Sequence, residues 1–517
     1  MLNKSIHNYI YFIGLCLIAF FMPLSEYMTS VSQFVIIANF LLEFDYKEKI
    51  RKLIRNKDII IFMLLFFSSV IWLLNSENLT YGLKDIQIKL PLLALPVIIG
   101  TSDALSEKRI NIILLSFITS VFVSSFIGML VYYNVILKAI DTDNIRNISV
   151  FVSHIRLSLM ICLSIFVLGY WITKKIIRKK ILIILSIIIM LWFVFYLGRS
   201  EVFTGLLSFI IILFLILLFK ATKEKNKVKK VLYLLLGISV PLTTLIYSGI
   251  QINNFYTPTT VQNVSLYTAK GNKYYNDTCS FLLENGNYIY RDMSRKELFE
   301  EWSKRSDYDL KGMDKKGQYL YNSLIRYLTS KGLTKDSEGL AQLTDKDIRY
   351  IENGETNYKY AEQDGIEKRA YTIIWQIDAY FKTGDPSGHS ITQRLEYQKV
   401  GLKLFFNNFW FGTGTGDLDD EFNKIYEETE TPLNKEYWHR AHNQLLTFFI
   451  CYGIFGGIIG LLAWFYPVIV NWDIKNYYFI IFFIIATLSM FSDDTLETST
   501  GVAFVAFFYS LFLWGKK

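Results

Sequence analysis

Near residue 440 a polar stretch runs directly into an apolar one, and the junction reads His439-Arg440-Ala441-His442-Asn443-Gln444. Imidazoles exchange protons near neutral pH, so one of them could act as a base towards a hydroxyl at this border. Upstream, Arg394 opens an amphipathic run to Asn408, followed by Gly412-Thr413-Gly414-Thr415-Gly416-Asp417. A planar guanidinium suits bidentate phosphate binding, and glycines allow a tight turn or the close approach of a ligand. Cationic groups, a glycine turn and imidazoles therefore collect where an anionic phosphate could be held.

Each signal also has a plainer reading. Arg394 and Lys399 could be the solvated face of a helix lying along the membrane. His439 and His442 could be hydrogen-bonded interfacial residues, and an i,i+3 histidine pair with no third ligand nearby is weak support for zinc. The glycine run lacks the Gly-Lys-Ser/Thr ending and the βαβ frame of a nucleotide loop, so a nucleotide site is rejected. Elsewhere, Arg199 occupies the short turn Gly198-Arg199-Ser200-Glu201. It reads either as an interfacial anchor paired with Glu201 or as an anion contact supported by His154 and Arg156. The turn Asp493-Asp494-Thr495-Leu496-Glu497 could orient a histidine or an acceptor, or be merely solvated.

These residues need a scaffold, and composition names it. The 517-residue chain is 52% hydrophobic, and its apolar residues fall into repeated runs. Runs of about 17–22 residues match a hydrocarbon core, which makes this an all-α polytopic membrane protein with about twelve transmembrane helices. The first run, from Tyr9, has no small-residue cleavage site after it and is read as a retained span. The fourth, 88–101, holds Pro91 and Pro96 and is expected to be kinked or partly re-entrant. The net charge of +8 comes from basic clusters in short loops, a topology signal rather than a nucleic-acid footprint. The clusters at 47–57, 174–180, 220–230 and 516–517 share one side if both termini are cytoplasmic.

That parity gives three segments: a bundle of about nine spans over 1–250, an extracytoplasmic domain over 251–442, and three C-terminal spans over 443–517. The outer domain, between spans nine and ten, reads as mainly helical, with periodic apolar residues in Arg295–Arg305, Tyr319–Thr329 and Thr344–Ile351. The loops Asn75–Lys89 and Asp141–Asn147 fall on the same outer side. Cys16, Cys162, Cys279 and Cys451 show neither metal-ligand nor disulfide spacing.

Gly-Arg-Ser at 198–200, Arg394 ahead of the 409–416 aromatic-glycine run, and His442-Asn443-Gln444-Leu445-Leu446 opening a span together resemble the O-antigen ligase and polymerase superfamily. Motif-level resemblance covers 198–205 and 391–460; 265–380 reads as an enlarged outer loop to which no family role is carried. The resemblance implies a glycosyltransferase of the bacterial cytoplasmic (inner) membrane, serving lipopolysaccharide and cell-envelope polysaccharide assembly, with the large loop in the periplasm. Its donor would be a glycan on undecaprenyl pyrophosphate, and its acceptor a sugar hydroxyl of lipid A-core (a ligase) or of a second lipid-linked glycan (a polymerase). Arg199 and Arg394 would meet the pyrophosphate, and His442 would be the base or orienter for the acceptor hydroxyl. Arg156, His154, His439, Arg440, Asn443, Gly412, Gly414, Gly416 and Glu497 are the further substrate-binding candidates. The resemblance implies inversion at the anomeric carbon and needs no metal or other cofactor. A polysaccharide or lipid transporter is the alternative of another class; it would call for charges deep in the spans and paired broken helices in two halves.

Overall fold

The computed structural model describes residues 3–133, 135–136, 148–200, 202–256, 266–277, 282–361, 366–471, 473 and 476–516. The Asp141–Asn147 loop, Glu201 and Cys279 lie outside the described residues. All twelve apolar runs form helices, and the protein is an all-α polytopic membrane protein. Among the described residues, eight helices are long and apolar enough to cross a membrane: Lys4–Phe21, Lys57–Asn75 (its last turn 3₁₀), Glu107–Tyr132, His154–Thr173, Lys180–Arg199, Phe203–Lys223, Lys227–Tyr256 and Gln444–Val470. The others are shorter. Glu26–Leu42 has 17 residues, and the basic helix Tyr46–Arg55 turns away from it by 111°. Tyr477–Ser492 and Ser499–Leu513 have 16 and 15 residues.

The fourth run departs most from a plain span. Its helix, Pro91–Thr101, has 11 residues, about 16 Å at 1.5 Å per residue, roughly half a hydrocarbon core. Pro91 sits at its start, where a missing N–H is no loss, and the separate helix Leu79–Lys89 precedes it. Charged residues of that preceding helix can thus reach the end of the bundle.

The described chain divides into two compact units. The first comprises the described residues within 3–136, 148–216 and 393–516. Within it Gln444–Val470 packs on Lys57–Trp72, Lys4–Phe21 on Glu26–Leu42 and Glu107–Tyr132, and Ser499–Leu513 on Pro91–Thr101. From Thr500 to Phe512 every residue is buried, and His154–Thr173 is buried around most of its circumference. Helices apolar on all sides belong in a core. Lys180–Arg199 instead leaves Ile181, Ile184, Ile188 and Leu191 exposed, as a lipid-facing helix does. The second unit comprises the described residues within 217–392. Besides Lys227–Tyr256 it contains the helices Arg295–Trp302, Leu320–Ser330, Asp345–Glu352 and Ile366–Thr383, and a two-stranded hairpin, 283–284 with 287–288. Leu298, Trp302, Leu324, Leu328 and Ile351 form its core. The three helices expected here from periodicity are present, each within a few residues of its expected ends.

Candidate active site

The glycine run is a splint. Helix Gln444–Val470 breaks at Gly453, whose φ of 62° and ψ of −167° leave the helical region. A break frees backbone groups that need partners. The 409–416 segment supplies them: Thr413 N donates to Ile450 O at 2.9 Å, Gly414 N to Cys451 O at 2.9 Å, and Ile454 N to Phe409 O at 2.8 Å. Gly412, at φ 69°, lies so close that a Cβ would meet the Cys451 carbonyl at 2.4 Å, and a Cβ on Gly414 would meet Asn75 O at 2.3 Å. Gly416 passes equally near Asn78 O. The close approach these glycines permit is to the protein's own backbone. The segment's other edge is fixed to the 72–78 turn through Trp72 Nε1, which donates to Phe411 O at 2.7 Å. The Asp417 carboxylate accepts from Glu77 N at 2.8 Å and Asn78 N at 2.7 Å. Helix Leu418–Glu428 starts immediately after this clamp and is placed by it.

That helix, the 438–442 corner and the 493–498 turn line an open cavity of about 480 Å³. His439, Arg440, His442, Asp493, Asp494 and Glu497 line one part of it. His442 has φ 48°, a left-handed conformation uncommon outside glycine, asparagine, aspartate and histidine. Its Nδ1 lies 3.4 Å from Asp493 Oδ1, the long end of a hydrogen bond. Asp493 Oδ2 in turn meets Arg156 Nη2 at 3.0 Å. Arg156 is buried in the first turn of His154–Thr173, and its guanidinium also donates to the Asp494 carbonyl at 3.1 Å and to Thr495 and Thr498 hydroxyls. A charge inside a packed helix requires such partners. The Tyr397 ring packs on His442 and His439, with centroids 5.6 and 5.8 Å away. Arg394 is three residues before Tyr397 on helix Ser390–Asn407, hence on the same side of it.

Behind the cavity the charges are locked together. Glu497, buried, receives Lys89 Nζ at 3.0 Å and Gln444 Nε2 at 3.0 Å, while Lys89 also holds Asp85 at 2.8 Å. Arg440 grips Asp419 with two hydrogen bonds of 2.5 and 3.2 Å and lies 3.6 Å from Glu497. Gln444 Oε1 accepts from Leu496 N at 2.7 Å, and Thr447 Oγ1 donates to Asp494 at 2.8 Å, so helix Gln444–Val470 holds the acidic turn in place. Asn443 caps that helix, its side chain accepting from Leu446 N at 3.1 Å.

This setting separates the carboxylates. Burial pushes Asp493 up, but the His442 contact and the Arg156 and Arg394 charges hold it down at about 2. Glu497, also opposed by burial, is held at about 2 by Lys89, Arg440 and Gln444. Burial dominates at Asp494 and raises it, and burial together with neighbouring His442 lowers His439.

Residues 357–461 match the family model described as O-antigen ligase. Over this segment the chain is similar to the O-antigen ligase family. No curated protein matches the chain. The O-antigen ligase match takes in Arg394, the glycine splint, His439, Arg440, His442 and Asn443; Arg156, His154, Arg199, Lys89 and the 493–498 turn lie outside it. The match supports a membrane function of the O-antigen ligase or polymerase type and, in general terms, glycosyltransferase-like activity.

The expected site residues thus fall into three groups. His439, Arg440, His442 and Glu497 line the cavity. Arg156, Arg394 and Asn443 support it without being part of its wall, and the three glycines hold its frame. Arg199 and His154 form the third group, also outside the wall. Arg199 ends helix Lys180–Arg199, donates to the Tyr132 hydroxyl at 3.2 Å and stacks on that ring. His154 opens its helix two residues before Arg156. Sequence reading overlooked Lys89, Asp85, Asp419, Tyr397 and Tyr426. Lys89 had a legible signal, a lysine at the edge of an apolar run with an aspartate four residues before it. Nothing local marked Asp419, Tyr397 or Tyr426.

Proposed function

We propose that the protein transfers a glycan from undecaprenyl pyrophosphate to a sugar hydroxyl of lipid A-core at the outer face of the bacterial cytoplasmic membrane. Both termini are then cytoplasmic and the large loop periplasmic. The observation that carries this reading is the Arg156–Asp493–His442 chain ending in the cavity: a candidate base oriented by a carboxylate that is itself oriented by a buried cation. With Nδ1 turned to Asp493, Nε2 of His442 is left to accept the proton of the acceptor hydroxyl. The acceptor oxygen bonds to the anomeric carbon, the bond from that carbon to the pyrophosphate oxygen breaks, and its electron pair leaves with undecaprenyl pyrophosphate. One displacement inverts the anomeric centre. Arg199 and Arg394 neutralise the departing pyrophosphate, a task that arginines perform without a metal. Arg156 acts through Asp493 as a positioning residue.

Replacing Arg199, Arg394 or His442 by alanine is expected to abolish transfer while the protein still inserts; full activity in all three would sink the assignment. In a deletion strain, loss of all glycan on lipid A-core with long chains accumulating on undecaprenyl pyrophosphate supports the ligase reading. Single repeats still joined to the core would instead identify a polymerase, which shares the same chemistry.

A further inference from the structure

The short helix Tyr46–Arg55 joins two apolar helices at one end of the bundle. Six of its ten residues are charged, which places it at the membrane surface rather than in hydrocarbon. Its course is fixed by the bend before it. Phe44 takes φ 55°, a conformation that a bulky side chain adopts only where its surroundings hold it, and the Tyr46 hydroxyl donates to Leu41 O across the turn. The helix then packs on Pro91–Thr101 and Lys57–Trp72.

On the side nearest the bundle the charges pair with one another. Asp45, Glu48, Lys49 and Lys52 share that side by their i, i+3, i+4, i+7 spacing. Lys49, buried, meets Glu43 at 2.6 Å and the Phe40 carbonyl at 3.1 Å. Lys52 meets Glu48 at 3.0 Å and the Thr101 carbonyl at 3.2 Å, and lies 3.9 Å from Asp103, which also faces Lys4. Asp45 stands at the start of the helix, where the dipole favours a carboxylate.

The outward side carries two parallel rows. Tyr46, Ile50 and Ile54, about one turn apart, are exposed at 40, 55 and 64%. One residue further on in each case, hence about 100° round the helix, stand Lys47, Arg51 and Arg55, also exposed. Among the described residues these three cations have no ion-pair partner, since Glu43, Glu48 and Asp103 are engaged by Lys49 and Lys52. Leu41, Leu42 and Phe44, at the bend, are exposed as well. An apolar row beside a cationic row suits a helix lying in a bilayer surface: the first meets acyl chains while the second reaches headgroup phosphates. A polar partner in solution would leave the apolar row uncovered, and a neutral headgroup would leave the net charge of the cations uncompensated.

We infer that Tyr46–Arg55 is an interfacial helix that binds anionic phospholipid, with Lys47, Arg51 and Arg55 on the headgroups and Tyr46, Ile50 and Ile54 against the acyl chains. This is independent of the transfer reaction.

The test reconstitutes the full chain in nanodiscs of phosphatidylcholine, alone or with about 30% phosphatidylglycerol, and reads amide hydrogen exchange over 41–57 by mass spectrometry. Phosphatidylglycerol should slow exchange of the Tyr46–Arg55 amides by about threefold or more. Lys47→Gln, Arg51→Gln and Arg55→Gln combined, all at exposed positions, should abolish that lipid dependence and leave the thermal midpoint unchanged. Lys174→Gln, Lys175→Gln and Lys179→Gln combined remove the same charge from another exposed loop and should leave the dependence intact. Ile50→Ser with Ile54→Ser should speed exchange in both kinds of disc. Equal exchange of the unaltered chain in the two compositions would overturn the inference and leave the two rows to a soluble partner. Slowing that survives the 47/51/55 variant, or that the 174/175/179 variant abolishes equally, would overturn it in favour of a diffuse effect of net charge.

Discussion

Each unit of this protein buries a carboxylate against an arginine, and the two clusters differ in what lies beside them. In the second unit Glu284, fully buried, receives Arg326 Nε at 2.9 Å, Asn357 Nδ2 at 2.8 Å and the Tyr371 hydroxyl. The Arg326 guanidinium is covered by the Trp375 ring at 3.5 Å. The donors at Glu284 close on one another, so the cluster reads as a structural fastener. In the first unit Asp493 is held just as firmly by Arg156, but its other oxygen faces a histidine that is one-third exposed and lines a cavity. A buried charge pair marks a site only when one member retains access to a ligand; otherwise its cost is repaid in packing specificity alone.

The largest expected effect separates the two clusters directly. His442→Asn keeps a residue that tolerates the left-handed backbone but removes the base, so transfer should fall roughly 10²–10⁴-fold while stability changes by less than about 1 kcal/mol. Glycan-transfer assays and thermal unfolding of the same preparation check both halves. Glu284→Ala should behave in the opposite way. It strands Arg326 and should cost about 3–5 kcal/mol, read as lost protease resistance of the 266–361 region. A Glu284→Ala protein that stays fully folded and loses transfer would break the contrast.

Acid should discriminate next. Asp493 and Glu497 have carboxyls held at about 2, below the ordinary values of about 4 for an unfolded chain. A depressed carboxyl stabilises the fold above its unfolded value, and that contribution is lost as pH falls from about 4 towards 2. Each group accounts for roughly 2–3 kcal/mol over that window. Thermal midpoints measured across it should fall steeply, and less so in Asp493→Asn. The smallest effect belongs to Asn443→Ala, which removes a helix cap and should cost about 1 kcal/mol, with transfer reduced only as far as the His442 corner loosens.

Much of the fold was legible because it follows from local pattern. Apolar run length located the twelve helices, and 3.6-residue periodicity located Arg295–Trp302, Leu320–Ser330 and Asp345–Glu352 in the polar segment but not Ile366–Thr383 or Leu418–Glu428. The site was legible in part. His439, Arg440, His442 and Glu497 share one cavity, and the acidic turn does stand beside a histidine. The glycine run was expected to allow a tight turn or the close approach of a ligand; the close approach in the structure is to the broken helix at Gly453, which no spacing in 409–416 reveals. Arg199 and Arg394, equivalent as isolated arginines, part company in the structure. Arg394 adds its charge to Asp493, whereas Arg199 engages Tyr132.

The sequence alone therefore determined the class of molecule, the helices and the kinds of group available for chemistry, because hydrophobic length and side-chain type act locally. Tertiary structure alone decided which charges meet. Lys89 and Glu497 are 408 residues apart in the chain, and Arg156 comes from helix His154–Thr173 while Asp493 comes from the turn after Tyr477–Ser492. Such pairings depend on how helices pack and where a break in a helix lets a loop dock. No local pattern encodes that, because each partner's environment is made by segments hundreds of residues away.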